Sequence, residues 1–534
     1  MLLRAVTADR KTQTPLLPAT LPELVELRAG LDSDAVVFPA ERASYRELAA
    51  AMDEMARRLH AAGIRKGDRI GLLLPASLGA FALQLGAMRI GAVPVPVNAR
   101  FKARELQYVI RHSGMRVLVA DPSFAGLLDE AEATATCAIV TGTDDPGFAA
   151  GAAGVGLGTI AQAQAGVGGG DDALMLYTSG TTANPKGCVH NHAAVMAEGE
   201  RVAERLRLTA ADRFWTPLPF FHVGSIAVLA AALVAESASL QMPHFDPTVA
   251  LDQLERERCT VAFPAFETIW LGVLNHERFP AADLSALRLV VNAGVPNSLR
   301  AMQARLPHAP QISCFGSTET CAFACLGEAD DPLEERVTTS GLPLRDIELR
   351  TVSPETGEQT GVGEVGELLM RGPTRFVRYH DDPEQTALTI DADGWYHSGD
   401  LGRIDEQGRV SFVGRLKDML KVGGENVAAA EVESYLLTHP AVEIVQIVGV
   451  ADARYTEVPA AFVQLRTGTN AGEQELIDFC RGQIATFKVP RYVRFVEEWP
   501  MSGTKIQKFR LRDQITNELI EAGITEAPKI SSQR

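Results

Sequence analysis

Apolar residues along the first 120 positions recur at two different spacings. In "LAAAMDEMARRLHAAG", Leu48, Met52, Met55 and Leu59 fall on one helical face, and Gly63 follows as a stop. "DRIGLLLP" (68–75) is a short unbroken apolar run and predicts a strand. "LGAFALQLGAMRIG" (78–91) predicts a helix, and "AVPVPV" (92–97) a further strand. Strands that are apolar on both faces and joined through helices predict a parallel sheet covered by helices. "IAVLAAALVA" (226–235) is apolar on every side yet too short to span a bilayer, so it predicts a buried helix. The Gly/Ala-rich stretch 149–170 reads as a loose connection, with a short helix as the alternative.

Past residue 413 the texture changes. "FVGRLKDMLKVGGENV" is charged and contains glycine, and a compact α+β pattern follows it. That pattern predicts a helix at 428–437, strands at 444–450 and 459–465, a helix at 472–485, a strand at 491–496 and a last helix at 509–521. A boundary at about 415–418 divides the chain into a large domain, 1–416, and a small one, 417–534. The expected fold class is α/β, with several subdomains and mostly parallel sheets in the large domain and an α+β small domain. No internal repeat is visible.

Composition narrows the function. A chain of 534 residues exceeds one hydrophobic core. A formal net charge of −16 argues against a nucleic-acid or anionic-membrane partner, whose electrostatic footprint would be basic. Seven cysteines without framework spacing read as reduced thiols, which predicts a cytoplasmic location. Cys314, Cys321 and Cys325 cluster but lack zinc spacing, and read as small buried residues. The N-terminus shows no signal-peptide pattern.

"LYTSGTTANPKG" (176–187) is the first candidate for chemistry. An apolar strand runs into Thr178, Ser179, Gly180, Thr181 and Thr182, with Lys186 beyond. Hydroxyls, close-approaching glycine backbone and one cation suit phosphate oxygens. It is not a Walker A loop: Pro185 stands where the second glycine would be, and no hydroxyl follows Lys186.

The loop resembles the phosphate-binding signature of the adenylate-forming superfamily. "CFGSTET" (314–320), "GWYHSGDLG" (394–402), "GRLKDMLKVGGENV" (414–427) and "GTKIQKFRLR" (503–512) resemble further motifs of that family, in its order. The resemblance extends over nearly the whole chain and implies acid activation: a carboxylate attacks the α-phosphate of ATP, giving an acyl-adenylate and pyrophosphate, and a thiol then displaces AMP. It implies that Phe315 and Gly316 meet adenine beside Gly294 of "NAGVP", and that Thr318 meets the α-phosphate. Glu319 and Thr181 would hold Mg²⁺, a hard cation that takes oxygen ligands. Asp400 and Arg415 would take the ribose. Lys505 would neutralise charge during adenylation, with Lys508 as its rival, and His222 would stand at the acyl site beside "PAFETIW" (264–270). Lys417 would be the hinge on which a mobile small domain turns, bringing Lys421, Gly423 and Gly424 to CoA. Phe315 stands where relatives usually have Tyr, and Gly503-Thr504 reverses the usual order before the lysine.

No Asp that would hold a substrate amine is visible near "PFFHVGS", and no insertion of the carrier-loading ligases appears between 330 and 400. An acid–CoA ligase is therefore expected, acting on a medium-chain, branched or cyclic aliphatic acid. The alternatives are an aryl acid, transfer to an acyl carrier protein, an ATP hydrolase of another type and a non-catalytic ATP-binding scaffold. A homodimer stays open, and no membrane-spanning segment is expected.

Overall fold

The computed structural model of the protein describes residues 17–178, 185–423, 425–502 and 505–530. The first helix-period stretch forms the Tyr45–Ala61 helix, opened by a capping box in which Ser44 and Glu47 each accept from the other's backbone N–H. Such a cap contributes about 1 kcal/mol. Leu48, Met52, Met55 and Leu59 of that helix are buried, facing the Leu78–Arg89 helix.

Arg69–Leu73, Val93–Pro96, Val117–Ala120 and Ala138–Thr141 form a four-stranded sheet that is parallel throughout. A second, seven-stranded sheet runs Gln311–Ile312, Leu289–Ala293, Val261–Phe266, Arg213–Trp215, Ala238–Leu240, Asp34–Val37 and Arg42–Ser44. Only its last pair is antiparallel. Helices cover both sheets, among them Val223–Ala235, apolar but for Ser225 and buried along most of its length. Residues 149–170 depart from the loose connection: Leu157–Gln164 is helical there, with Ile160 buried, so the alternative reading is the observed one.

A four-stranded antiparallel sheet, Glu348–Val352, Gly366–Arg371, Tyr396–Ile404 and Val410–Arg415, leads to the small domain. A one-turn 3-10 helix, Leu416–Asp418, follows directly. The small domain is α+β. Met419–Val422 and Glu425–Ala428 form a hairpin that the charged sequence did not suggest. That hairpin joins a sheet with Val442–Asp452, Thr456–Leu465 and Tyr492–Phe495. Three helices, Ala429–Leu436, Glu473–Cys480 and Lys508–Glu521, accompany them. The predicted helix 472–485 ends early because Arg481 turns extended, ψ 132°. No helix among the described residues is long and apolar enough to cross a membrane.

Candidate active site

The predicted phosphate loop springs from a hairpin. Asp172–Thr178 pairs antiparallel with Lys186–Asn191, and Thr178 lies opposite Lys186. Ser179, Gly180, Thr181 and Thr182 lie outside the described residues. What the hairpin fixes is the base of the loop. Lys186 holds its ammonium 5.0 Å from the centre of the Tyr379 ring, a cation–π geometry. The Tyr379 hydroxyl donates to Glu319 Oε1 at 2.9 Å, and the Phe376 N–H donates to the Glu319 carbonyl at 2.8 Å. Burial beside the Glu319 carboxylate pushes the Tyr379 phenol well up, so it stays a proton donor. Lys186 and Glu319, far apart in sequence, are thus joined through one aromatic side chain that sequence reasoning missed.

Thr318, Glu319 and Thr320 form a single 3-10 turn, with Ser317 N–H donating to Thr320 Oγ1 at 2.8 Å. Gly316 is required by packing: a Cβ there would lie 1.9 Å from the Ala322 carbonyl oxygen. Phe315 is 8% exposed and belongs to the hydrophobic core, with its ring roughly parallel to that of Phe412 at 6.3 Å. Phe412 is 45% exposed, so an aromatic face is accessible beside the Phe315 turn. It was also missed, because one aromatic in an alternating strand carries no signal of its own.

Asp400 and Arg415 meet where the Tyr396–Ile404 and Val410–Arg415 strands pair, with Arg415 Nε 3.0 Å from Asp400 Oδ1. Asp400 is buried and Arg415 is 45% exposed. The Asp400 carboxylate raises the Arg415 pKa, keeping the guanidinium charged. Lys417, two residues on, has its pKa lowered by desolvation and then by the Arg415 charge.

At the acyl end, His222 caps the Val223–Ala235 helix: its Nδ1 accepts the Gly224 N–H at 3.0 Å. That bond places the proton of a neutral ring on Nε2. The ring meets Phe266 edge-on at 5.8 Å. Of the "PAFETIW" run, Phe266, Glu267 and Thr268 are half-buried, whereas Ile269 and Trp270 are core residues. The Glu267 carboxyl occupies the space beside Gly294: a Cβ there would lie 2.3 Å from its oxygen and would make that side chain shift. Glu267 Oε1 accepts the Val295 N–H at 2.6 Å.

In the small domain, Lys505 lies in a two-residue strand, Lys505–Ile506, paired with Met501–Ser502; its side chain falls outside the described part. Its rival Lys508 is held by Glu433, Nζ to Oε1 at 2.6 Å. Lys421 is exposed, Gly423 takes a left-handed φ of 60°, and Gly424 lies outside the described residues. Cys321 and Cys325 are buried and Cys314 half-buried, and burial pushes all three thiols up, that of Cys314 to about 12. No group of three or more metal-ligating side chains occurs among the described residues. The oxygen donors at Glu319 suit Mg²⁺ bound mainly through nucleotide phosphates, which needs only one or two protein carboxylates.

The arrangement therefore brings together a carboxylate–guanidinium pair, an exposed aromatic face, and a cation and carboxylate at the base of the predicted phosphate loop. Residues 26–380 match the AMP-binding enzyme family, and residues 431–505 match the AMP-binding enzyme C-terminal domain. The chain belongs to this family, and it is an AMP-forming acid–CoA ligase. It is 35% identical to a propanoyl:CoA ligase of Mycobacterium tuberculosis whose propanoyl group bears a methyl-dioxo-octahydroindenyl bicycle, over 93% of this chain and 98% of that one. It is 32% identical to a mitochondrial medium-chain acyl-CoA ligase of Rattus norvegicus, over 92% of this chain and 87% of that one. Among solved structures it resembles ATP-bound MatB from Rhodopseudomonas palustris, with a TM-score of 0.83 at 29% identity, covering 94% of this chain and all of that one.

Proposed function

We propose that the protein activates a medium-chain or cyclic aliphatic acid with ATP and transfers the acyl group to CoA, in the cytoplasm. The observation that carries the reading is the Asp400–Arg415 pair standing with Phe412 and Glu319 around the end of the phosphate hairpin. Asp400 accepts from the ribose hydroxyls while Arg415 neutralises it. Phe412, backed by the buried Phe315, offers its face to the base, and Lys186 with the Thr178–Thr182 loop holds the phosphates. Mg²⁺, held by Glu319 and phosphate oxygens with Thr181 as the second protein donor, would neutralise charge on the leaving pyrophosphate.

Lys505 is the amine that bridges the acid carboxylate and the α-phosphate. The engagement of Lys508 by Glu433 supports that choice. His222 and Phe266 form the apolar wall of the acyl site, which suits a chain or ring without charge. The names of the two ligase relatives support the same substrate class. Lys417 is the hinge, in the one-turn Leu416–Asp418 helix at the boundary between the two domains; rotation there brings Lys421, Gly423 and Gly424 to the acyl-adenylate. An aryl acid is the second reading, since the edge-on His222–Phe266 pair also accepts a flat ring.

Acid-dependent exchange of labelled pyrophosphate into ATP, run over a panel of linear, cyclic and aryl acids, tests the reading. Cyclic or medium-chain acids should support the fastest exchange; a preference for benzoates would reverse the substrate assignment.

A further inference from the structure

The two domains meet beside the acyl site. Asn297 Nδ2, at the start of the Pro296–Arg305 helix, donates to the Ser434 carbonyl of the small-domain helix Ala429–Leu436 at 3.3 Å. Next to Ser434 is Glu433, whose carboxylate accepts the Ile447 N–H at 2.7 Å and the Lys508 ammonium at 2.6 Å. On the large-domain side of this seam is Glu267. Its carboxyl fills the space left by Gly294 and accepts the Val295 N–H, so the turn 294–296 rests on one acidic side chain. Glu267 therefore holds Val295, in the turn proposed to line the nucleotide site, two residues before the Asn297 that meets the small domain.

We propose that Glu267 is a positioning residue that fixes the Gly294–Pro296 turn for ATP and, through the Asn297–Ser434 contact that follows the turn, makes the seating of the small domain depend on its own protonation. The proposal rests on the acid–CoA ligase reading and deepens it. The groups gathered around Glu267 are Val295 N–H and the Ser298 hydroxyl on the turn and helix beside it, and Glu433 backed by Lys508 on the small domain. His222 stands one residue away, against Phe266. Burial pushes the Glu267 carboxyl up to about 7, with Glu433 adding to the rise and the Val295 and Ser298 hydrogen bonds opposing it.

The sign follows from linkage. A carboxyl whose pKa is higher in the seated arrangement favours seating when protonated. Burial supplies most of the rise and Glu433 a smaller part, and the preference is lost as pH rises through about 7. Glutamine keeps the carbonyl acceptor for Val295 but cannot ionise, whereas alanine removes both functions.

The test measures pyrophosphate–ATP exchange and CoA thioester formation from pH 5.5 to 8.5 on the full chain. The variants are Glu267→Gln, Glu267→Ala and Glu433→Gln. Expected is a wild-type to Glu267→Gln rate ratio that changes through pH 7 in at least one half-reaction, and a Glu433→Gln transition displaced to lower pH. Glu267→Ala should raise the KM for ATP about tenfold or more, a change that Glu267→Gln largely rescues below pH 7. An active wild type whose pH profile Glu267→Gln leaves unaltered, or Gln and Ala variants that behave alike, would overturn this proposal alone. A wild type without acid-dependent exchange would overturn the functional reading and this proposal with it.

Discussion

Replacing Asp400 by Asn isolates the ribose contact. The two side chains have nearly the same volume, and the site is buried on the Asp400 side, so packing is retained. What is lost is charge: an amide accepts through one oxygen only, where the carboxylate offers two. Arg415, 45% exposed, is left without its partner but reaches water, so the ion pair itself contributes little to folding. A hydrogen bond to a charged acceptor contributes about 1.5–3 kcal/mol. At about 1.4 kcal/mol per factor of ten, the KM for ATP should rise roughly 10- to 150-fold, with the KM for the acid unchanged. The assay is pyrophosphate exchange with ATP and 2′-deoxy-ATP in parallel. Wild type should discriminate against the deoxy nucleotide, and Asp400→Asn should lose most of that discrimination. Equal discrimination by both proteins would refute the assignment of Asp400 to the ribose.

Lys505→Ala should lower adenylation about 10²–10³-fold while chemically prepared acyl-AMP is still accepted by CoA, and Lys508→Ala should spare that bias. A single-turnover assay of each half-reaction separates the two lysines. Lys417→Pro, which restricts the backbone of the one-turn connection, should spare adenylation and suppress thioester formation. Equal loss of both half-reactions would count against a rotating domain.

The parts of this molecule that follow from local pattern were readable from its sequence. Leu48, Met52, Met55 and Leu59 announce their helix because one face is buried, and the apolar runs at 69–73 and 93–96 announce parallel strands because both faces are. The hairpin at 419–428 was not readable: Lys421 and Glu425 are exposed, and its glycine turn resembled a loop. The same distinction holds at the site. Asp400 and Arg415 stood out as motif residues, and strand pairing sets them side by side.

Tyr379, Phe412 and Glu267 could not be read in this way, because each acts through a neighbour distant along the chain. Tyr379 reaches Glu319 across 60 positions, and Phe412 meets Phe315 from a different sheet. Glu267 uses the missing Cβ of Gly294, a glycine whose purpose had been assigned to the nucleotide. In Gly316 the sequence motif and the packing agree on glycine for a reason that is purely steric, the approach of the Ala322 carbonyl.

The central claim is that ATP is opened at its α-phosphate by an organic acid. Purified protein incubated with ATP, Mg²⁺ and a cyclic or medium-chain acid, with ³²P-pyrophosphate present, should return label to ATP only when the acid is added, and should form AMP and acyl-CoA once CoA is supplied. Release of ADP and orthophosphate at a rate indifferent to any acid would contradict it.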